Sequence, residues 1–176
     1  KLCGDKESIN IGIVNYGENT ENGSKRLQGF KDGIKNIKNA RIVAMISISS
    51  NAQSATAGAR KLLEENPEIN VLVGFNEWST LGVGTAIKEL GVKDSVCGIG
   101  FDNNTECVGM LETGELDTLI VQNPFSMGYL AVMNAANILS GKKTEREIKT
   151  DVYVVDRSNM FSADVQKILF GFDKYK

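Results

Sequence analysis

Short apolar runs alternate with longer amphipathic stretches along the whole chain. Ile9–Asn15 (INIGIVN) reads as a strand, and Tyr16–Ser24 as a polar, glycine-containing loop. Lys25–Asn36 follows as a helix, with Leu27, Phe30 and Ile34 at helical spacing. Arg41–Ser47 (RIVAMIS) is the second strand. Ser50–Gln53 supplies capping residues, and Ala55–Glu65 is a helix with Leu62 and Leu63 inward, stopped by Pro67. Val71–Phe75 is a strand and Ser79–Leu90 a helix with Gly91 as its C-cap. Val96–Phe101 and Thr118–Val121 are strands on either side of a helix over Asn103–Glu112, which Gly114 closes. Phe125–Leu139 is a long helix closed by Gly141, Lys149–Val155 a last strand, and the stretch from Ser162 a short helix carrying Val165, Ile168 and Leu169. Strict strand–helix alternation predicts an α/β fold, a parallel sheet joined by right-handed crossovers. The strand runs are continuously apolar, so helices are expected on both faces.

Composition narrows the function. The chain has 176 residues, 41% hydrophobic and 24% charged, which suits one domain with a real core and argues against disorder. Lys and Arg number 20 against 22 Asp and Glu, a net charge of −2, which points away from nucleic acid and anionic membranes. No run approaches the length of a membrane span, and no signal peptide is present. A mature exported domain has lost its signal, so this does not imply a cytosolic protein. Cys3, Cys97 and Cys107 have no zinc-type spacing. Cys97 reads as a core residue, and a Cys97–Cys107 disulfide has no framework of spacings behind it.

Catalytic chemistry finds little support. There is no histidine, which removes the commonest general base, the usual serine triad and most zinc sites. No phosphate-binding P-loop and no GxSxG elbow occur. Gly82-Val83-Gly84 lies within a helical pattern, where close packing explains it better than dinucleotide binding. Asp102 and Glu106 are spaced i,i+4, but acids are favoured at a helix start in any case.

Four polar residues mark the places where successive βα units open into one crevice: Arg26, Asn76, Asp102 and Gln122. Asn76, Asp102 and Gln122 lie just beyond strand ends, and Arg26 in the loop or first helical turn after its strand. Ligands of open α/β sheets bind outside the carboxyl ends of the strands. One cation, one carboxylate and two amides there suit a neutral polyhydroxylated ligand. Each residue also has a structural role open to it. Asp102 can cap the Asn103–Glu112 helix and Asn76 the helix at Ser79. Gln122 can be a loop residue before Pro124, and Arg26 a solvated helix-start residue, although the helix dipole disfavours a cation there. Trp78 can pack under a loop.

Several segments resemble the type I periplasmic sugar-binding proteins of the ribose and galactose group. Lys25–Phe30 (KRLQGF) is similar to their R-x-x-GF motif, and Asn51–Leu63 before Asn66-Pro67 follows in register. Phe75-Asn76-Glu77 with Leu81-Gly82 resembles their strand-end asparagine, Ile99–Asp102 (IGFD) their G-x-D signature, and Gly114–Gly128 their Q-x-P-x-x-x-G segment. The resemblance implies an α/β, Rossmann-like second lobe of a two-lobe clamshell over residues 1–176, with the first lobe absent. It implies non-catalytic binding of a monosaccharide or sugar-like solute for ABC transport or chemosensing, with Arg26, Asn76, Asp102 and Gln122 lining the site. No cofactor or metal is implied. A membrane permease or sensor is the implied partner, and the implied location is extracytoplasmic, periplasmic or as a cell-surface lipoprotein. Asn22 matches a polar ligand position of some galactose-type members and is a secondary candidate. The family's stacking aromatic after the second strand is missing, since that stretch is Ser49-Ser50-Asn51-Ala52. Trp78 or the other lobe is then expected to supply the apolar platform.

The resemblance also places the segment 125–155 across the hinge, its helix packing on the first lobe before the next strand returns. That helix carries Phe125, Met127, Tyr129, Leu130, Val132, Met133, Ile138 and Leu139. Without a first lobe it is expected either to fold back on its own domain or to be buried between two copies, by exchange of the segment. Three other functions compete: the effector-binding domain of a lactose-repressor-type regulator, the extracellular sensor of a membrane kinase, and an α/β enzyme using Asp102 as a base.

Overall fold

The computed structural model describes residues 7–17 and 19–170; Cys3 lies outside them. Six strands form one sheet in the order β2-β1-β3-β4-β5-β6. They are β1 Ile9–Tyr16, β2 Ala40–Ile48, β3 Val71–Gly74, β4 Cys97–Phe101, β5 Thr118–Gln122 and β6 Val152–Asp156. The first five run parallel, as the alternation predicts. β6 departs from that expectation: it pairs antiparallel with β5, Thr118 opposite Asp156 and Gln122 opposite Val152. Periodicity records which face a strand buries, not which way it runs, so this reversal left no mark in the sequence.

The helices are α1 Glu21–Ile34, α2 Ala52–Glu65, α3 Glu77–Leu90, α4 Thr105–Thr113, α5 Pro124–Leu139 and α6 Ala163–Phe170. α1 starts four residues before its expected position because Thr20 caps it, accepting the Gly23 N–H at 3.1 Å. Arg26 therefore stands in the second turn of α1, not in a loop. Helices α2, α3, α4 and α6 bury Leu62, Val83, Ile87, Leu111 and Leu169 against one face of the sheet, with Val14, Leu119 and Val155. On the other face, Leu27, Phe30 and Ile34 of α1 pack over Ile11, Ile13, Val73 and Phe75. Gly82 is a packing glycine: a Cβ there would run into the Ala55 backbone of α2.

Cys97 belongs to the α1 side of the core and Cys107 to the other. The sheet separates them, which removes the disulfide. Burial pushes the Cys107 thiol up to about 12, so it stays protonated and inert.

The fold-back expected of the fifth helix does not occur. β5 ends at Gln122, and β6 begins beside it at Val152, so the chain leaves and re-enters the sheet at the same end. Between those points α5, capped by Asn123 with Pro124 in its first turn, buries none of its residues. Its apolar side chains are open, Val132 at 70% and Leu139 at 89%.

Candidate ligand site

The strand ends gather at the end of the sheet from which α5 leaves. Arg26 reaches across it from α1. Its Nη1 donates to the Phe75 carbonyl at 2.6 Å, just past β3, and its Nη2 donates to Gln122 Oε1 at 2.9 Å, the last side chain of β5. The guanidinium also lies over the Phe101 ring, 4.7 Å from its centroid. Three contacts from three strands hold one cation. Phe101 is itself braced edge-on by Phe75 at 6.0 Å, and Phe75 by Phe30 at 5.6 Å. The same aromatic rings, with Ile99 and Ile120, line a groove of about 330 Å³ beside Arg26.

Asp102 follows Phe101 with φ of 70°, the only non-glycine residue with positive φ among those described. Its N–H donates to the Ile120 carbonyl at 3.0 Å. It does not cap α4, as one reading of the sequence held; Asn104 does, accepting the Cys107 N–H at 2.8 Å. Released from capping, the Asp102 carboxyl faces the N-terminus of α3. Burial pushes it above the usual carboxylate range, while the Arg26 guanidinium and the Glu77 backbone N–H pull it back and the Glu77 carboxylate adds to the rise. The left-handed backbone and the partial desolvation are both costs carried at a strand end.

Asn76 is a cap. Its Oδ1 accepts the Ser79 N–H at 2.9 Å and the Ser79 hydroxyl at 2.7 Å, and its own N–H donates to Ser79 Oγ. The reciprocal box fixes the start of α3. Only the carbonyl end of the amide is used this way; among the described residues Asn76 Nδ2 has no bond, so capping leaves it donors for a ligand.

The four primary residues thus sit together, with Arg26 and Gln122 bonded, Arg26 and Asp102 coupled through space, and Asn76 one residue past the carbonyl that Arg26 grips. The secondary candidates are not drawn in. Asn22 is exposed one turn before Arg26, and Trp78 is 39% exposed in the first turn of α3, outside the hydrophobic clusters. Sequence reasoning missed Phe101 as the seat of Arg26, although its place at the end of an apolar run, next to Asp102, was a signal. It also missed Asn15 at the end of β1, fully buried, whose Oδ1 accepts the Tyr16 N–H while its Nδ2 has no partner. Among the described residues no cluster of His, Cys, Asp and Glu suits a metal.

The polar groups of Arg26, Asn76, Asp102 and Gln122 thus gather at the carboxyl ends of the strands, where open α/β sheets hold ligands. Residues 1–143 match the family model for the periplasmic binding protein domain, and the chain belongs to that family. It is similar to the D-ribose/D-allose-binding protein of Pseudomonas aeruginosa, 26% identical over 137 residues, covering 78% of this chain and 43% of that protein. A solute-binding protein of a carbohydrate transporter from Agrobacterium radiobacter, solved with D-arabinose, superposes with a TM-score of 0.90 at 28% identity, over 96% of this chain and 58% of that one. The XylFII–LytSN complex contains a chain that matches at a TM-score of 0.80 and 31% identity, over 89% of this chain and 56% of its own length. The chain spans about half the length of the relatives it matches.

Proposed function

We propose that this chain is the second lobe of a two-lobe sugar-binding protein that holds a monosaccharide without transforming it. The observation that carries this reading is the fixed Arg26–Gln122 pair beside Asp102 and the free amide end of Asn76. Ionised Asp102 accepts from two adjacent hydroxyls. The remaining N–H groups of Arg26 donate to a ring or hydroxyl oxygen, and the amides do either. The sugars named for the similar proteins, ribose, allose and arabinose, are small neutral polyols and fit this chemistry. Periplasmic binding proteins are a standard instance of hinge closure around a ligand, and the Gln122–Pro124 connection is where the hinge would lie.

The helix of segment 125–155 supports the two-lobe reading. It projects at the crevice end with its apolar face bare, as a helix does that is built to pack on a second lobe. The permease of an ABC transporter, or the sensor domain of a membrane kinase, is the partner we propose; the likeness to a chain of the XylFII–LytSN complex supports a protein partner. The location that goes with either is extracytoplasmic. No helix among the described residues is long and apolar enough to cross a membrane. Calorimetry of the chain joined to a first lobe, against D-ribose, D-allose and D-arabinose, tests the reading: binding of none of them, or of all of them unchanged in both Arg26→Ala and Asp102→Ala, removes this site.

A further inference from the structure

β3 is shorter than β4. Its last registered pair is Val73 with Ile99, so Phe101 has no strand neighbour on that side, while on the other it pairs with Ile120 of β5. A backbone N–H and a carbonyl at a buried strand end cannot be left without partners. Both are taken by one side chain. Thr80, fully buried in the first turns of α3, accepts the Phe101 N–H at 2.7 Å and donates its hydroxyl to the Phe101 carbonyl at 2.9 Å. Its hydroxyl does the work of the missing strand. The approach is close enough that residue 100 has to be glycine, because a Cβ there would overlap the Thr80 side chain. α3 is in turn anchored at this point, the Thr80 N–H donating to the Asn76 carbonyl inside the capping box.

We propose that Thr80 is a positioning residue for the ligand site, its hydroxyl locking the Phe101–Asp102 segment so that Phe101 seats Arg26 and Asp102 turns into the crevice. The proposal rests on the reading of Asp102 as a sugar-contacting group. The next residue, Asp102, holds an unfavourable left-handed backbone, and on the β5 side it is fixed only by its N–H to Ile120. Without the hydroxyl, the β4 end keeps its β5 pairing and the bond of the Asp102 carboxyl to the Glu77 N–H, but the Phe101 backbone loses its hold on the β3 side and the turn is freer to relax. One side chain thereby holds both charged groups of the site without touching ligand: Arg26 through the Phe101 ring and Asp102 through the chain.

The test compares Thr80→Val, which keeps the shape and removes the hydroxyl, with Thr80→Ser, which keeps the hydroxyl, in the 176-residue chain. Carbon-13 NMR follows the Asp102 carboxyl through pH, and hydrogen exchange follows the Phe101 and Asp102 amides. In Thr80→Val both amides lose protection and the Asp102 titration moves toward the ordinary carboxylate value; in Thr80→Ser neither changes. An Asp102 titration and amide protection unchanged in Thr80→Val overturn the proposal, as does an equal loss in the serine variant. If Thr80→Val does not fold, Thr80→Ala takes its place, since alanine and serine differ only by the hydroxyl. With the chain joined to a first lobe, whichever of D-ribose, D-allose and D-arabinose binds should bind at least about tenfold more weakly in the variant lacking the hydroxyl. Failure of all three sugars to bind the unaltered protein counts against the sugar reading alone, because the titration and exchange still decide the role of Thr80.

Discussion

At the scale of single residues, the charges of the proposed site are placed at a cost to stability. Asp102 is the clearest case. Burial raises its pKa above the unfolded value of 3.8, so the folded chain binds that proton more tightly than the unfolded chain. Its contribution to stability is complete below pH 3.8 and is lost as pH rises through the raised folded value. Asp102→Asn removes this loss and puts an amide, which tolerates positive φ well, in the same place. We expect the variant to melt higher than the parent at neutral pH, with a flatter dependence of melting temperature on pH; a variant whose stability falls as steeply over that window contradicts the assignment. Function moves the other way. In the chain joined to a first lobe, Asp102→Ala should weaken sugar binding by about 1.5–3 kcal/mol, the worth of a hydrogen bond to a charged group, read by calorimetry. That Arg26, Asn76, Asp102 and Gln122 would gather at one end of the sheet was legible in the sequence, because strand ends in an α/β pattern mark a crevice. Their states were not. That Asn76 spends its carbonyl on a cap, that Asp102 does not cap at all, and that Phe101 seats Arg26 depend on where helices begin and on contacts between residues far apart in the chain.

At the scale of elements, the start of α3 is the point on which the site depends, since Asn76, the Glu77 N–H and Thr80 all belong to its first turns. Asn76→Ala deletes the capping box and should cost about 0.5–2 kcal/mol of stability in a denaturant titration. An unchanged midpoint would mean that the box holds nothing in place. The seam between α2 and α3 is just as demanding. Gly82→Ala drives a methyl into the Ala55 backbone, and because two backbones cannot yield as a flexible side chain would, about 1–3 kcal/mol of destabilisation is expected. The sequence pattern located every strand and helix, since burial imposes the periods it reads. It set the starts of α1, α2, α3 and α4 wrongly by two to four residues, because a cap is a matter of one side chain reaching one N–H. It could not see that β6 runs backwards, a consequence of the chain returning from α5 at the end of the sheet it had left.

At the scale of the whole molecule, the sheet is covered more fully on one face than on the other. α2, α3, α4 and α6 cover one face of the sheet, while α1 alone packs on the opposite face, leaving Val152 and Val154 of β6 exposed there at 53% and 59%. α5 has the complementary deficiency. Its sixteen residues include no charged side chain, and Phe125, Tyr129, Val132, Ile138 and Leu139 are each more than half exposed, with the Phe125 and Tyr129 rings stacked at 6.5 Å. A bare apolar helix and a bare apolar strand face mark association surfaces. A first lobe would cover them in a two-lobe protein. In the 176-residue chain alone, another copy is the cover at hand, and exchange of the segment after Gln122 would place each α5 on its neighbour. We therefore expect the isolated chain to self-associate with rising concentration in sedimentation. Val132→Asp with Ile138→Lys, both on exposed positions of α5 that bury nothing, should return it to monomer without lowering its melting temperature. The same chain joined to a first lobe should sediment as a monomer with or without those changes. An isolated chain that stays monomeric at every concentration would mean that the α5 face is tolerated by water, and the helix would lose its standing as an interlobe contact.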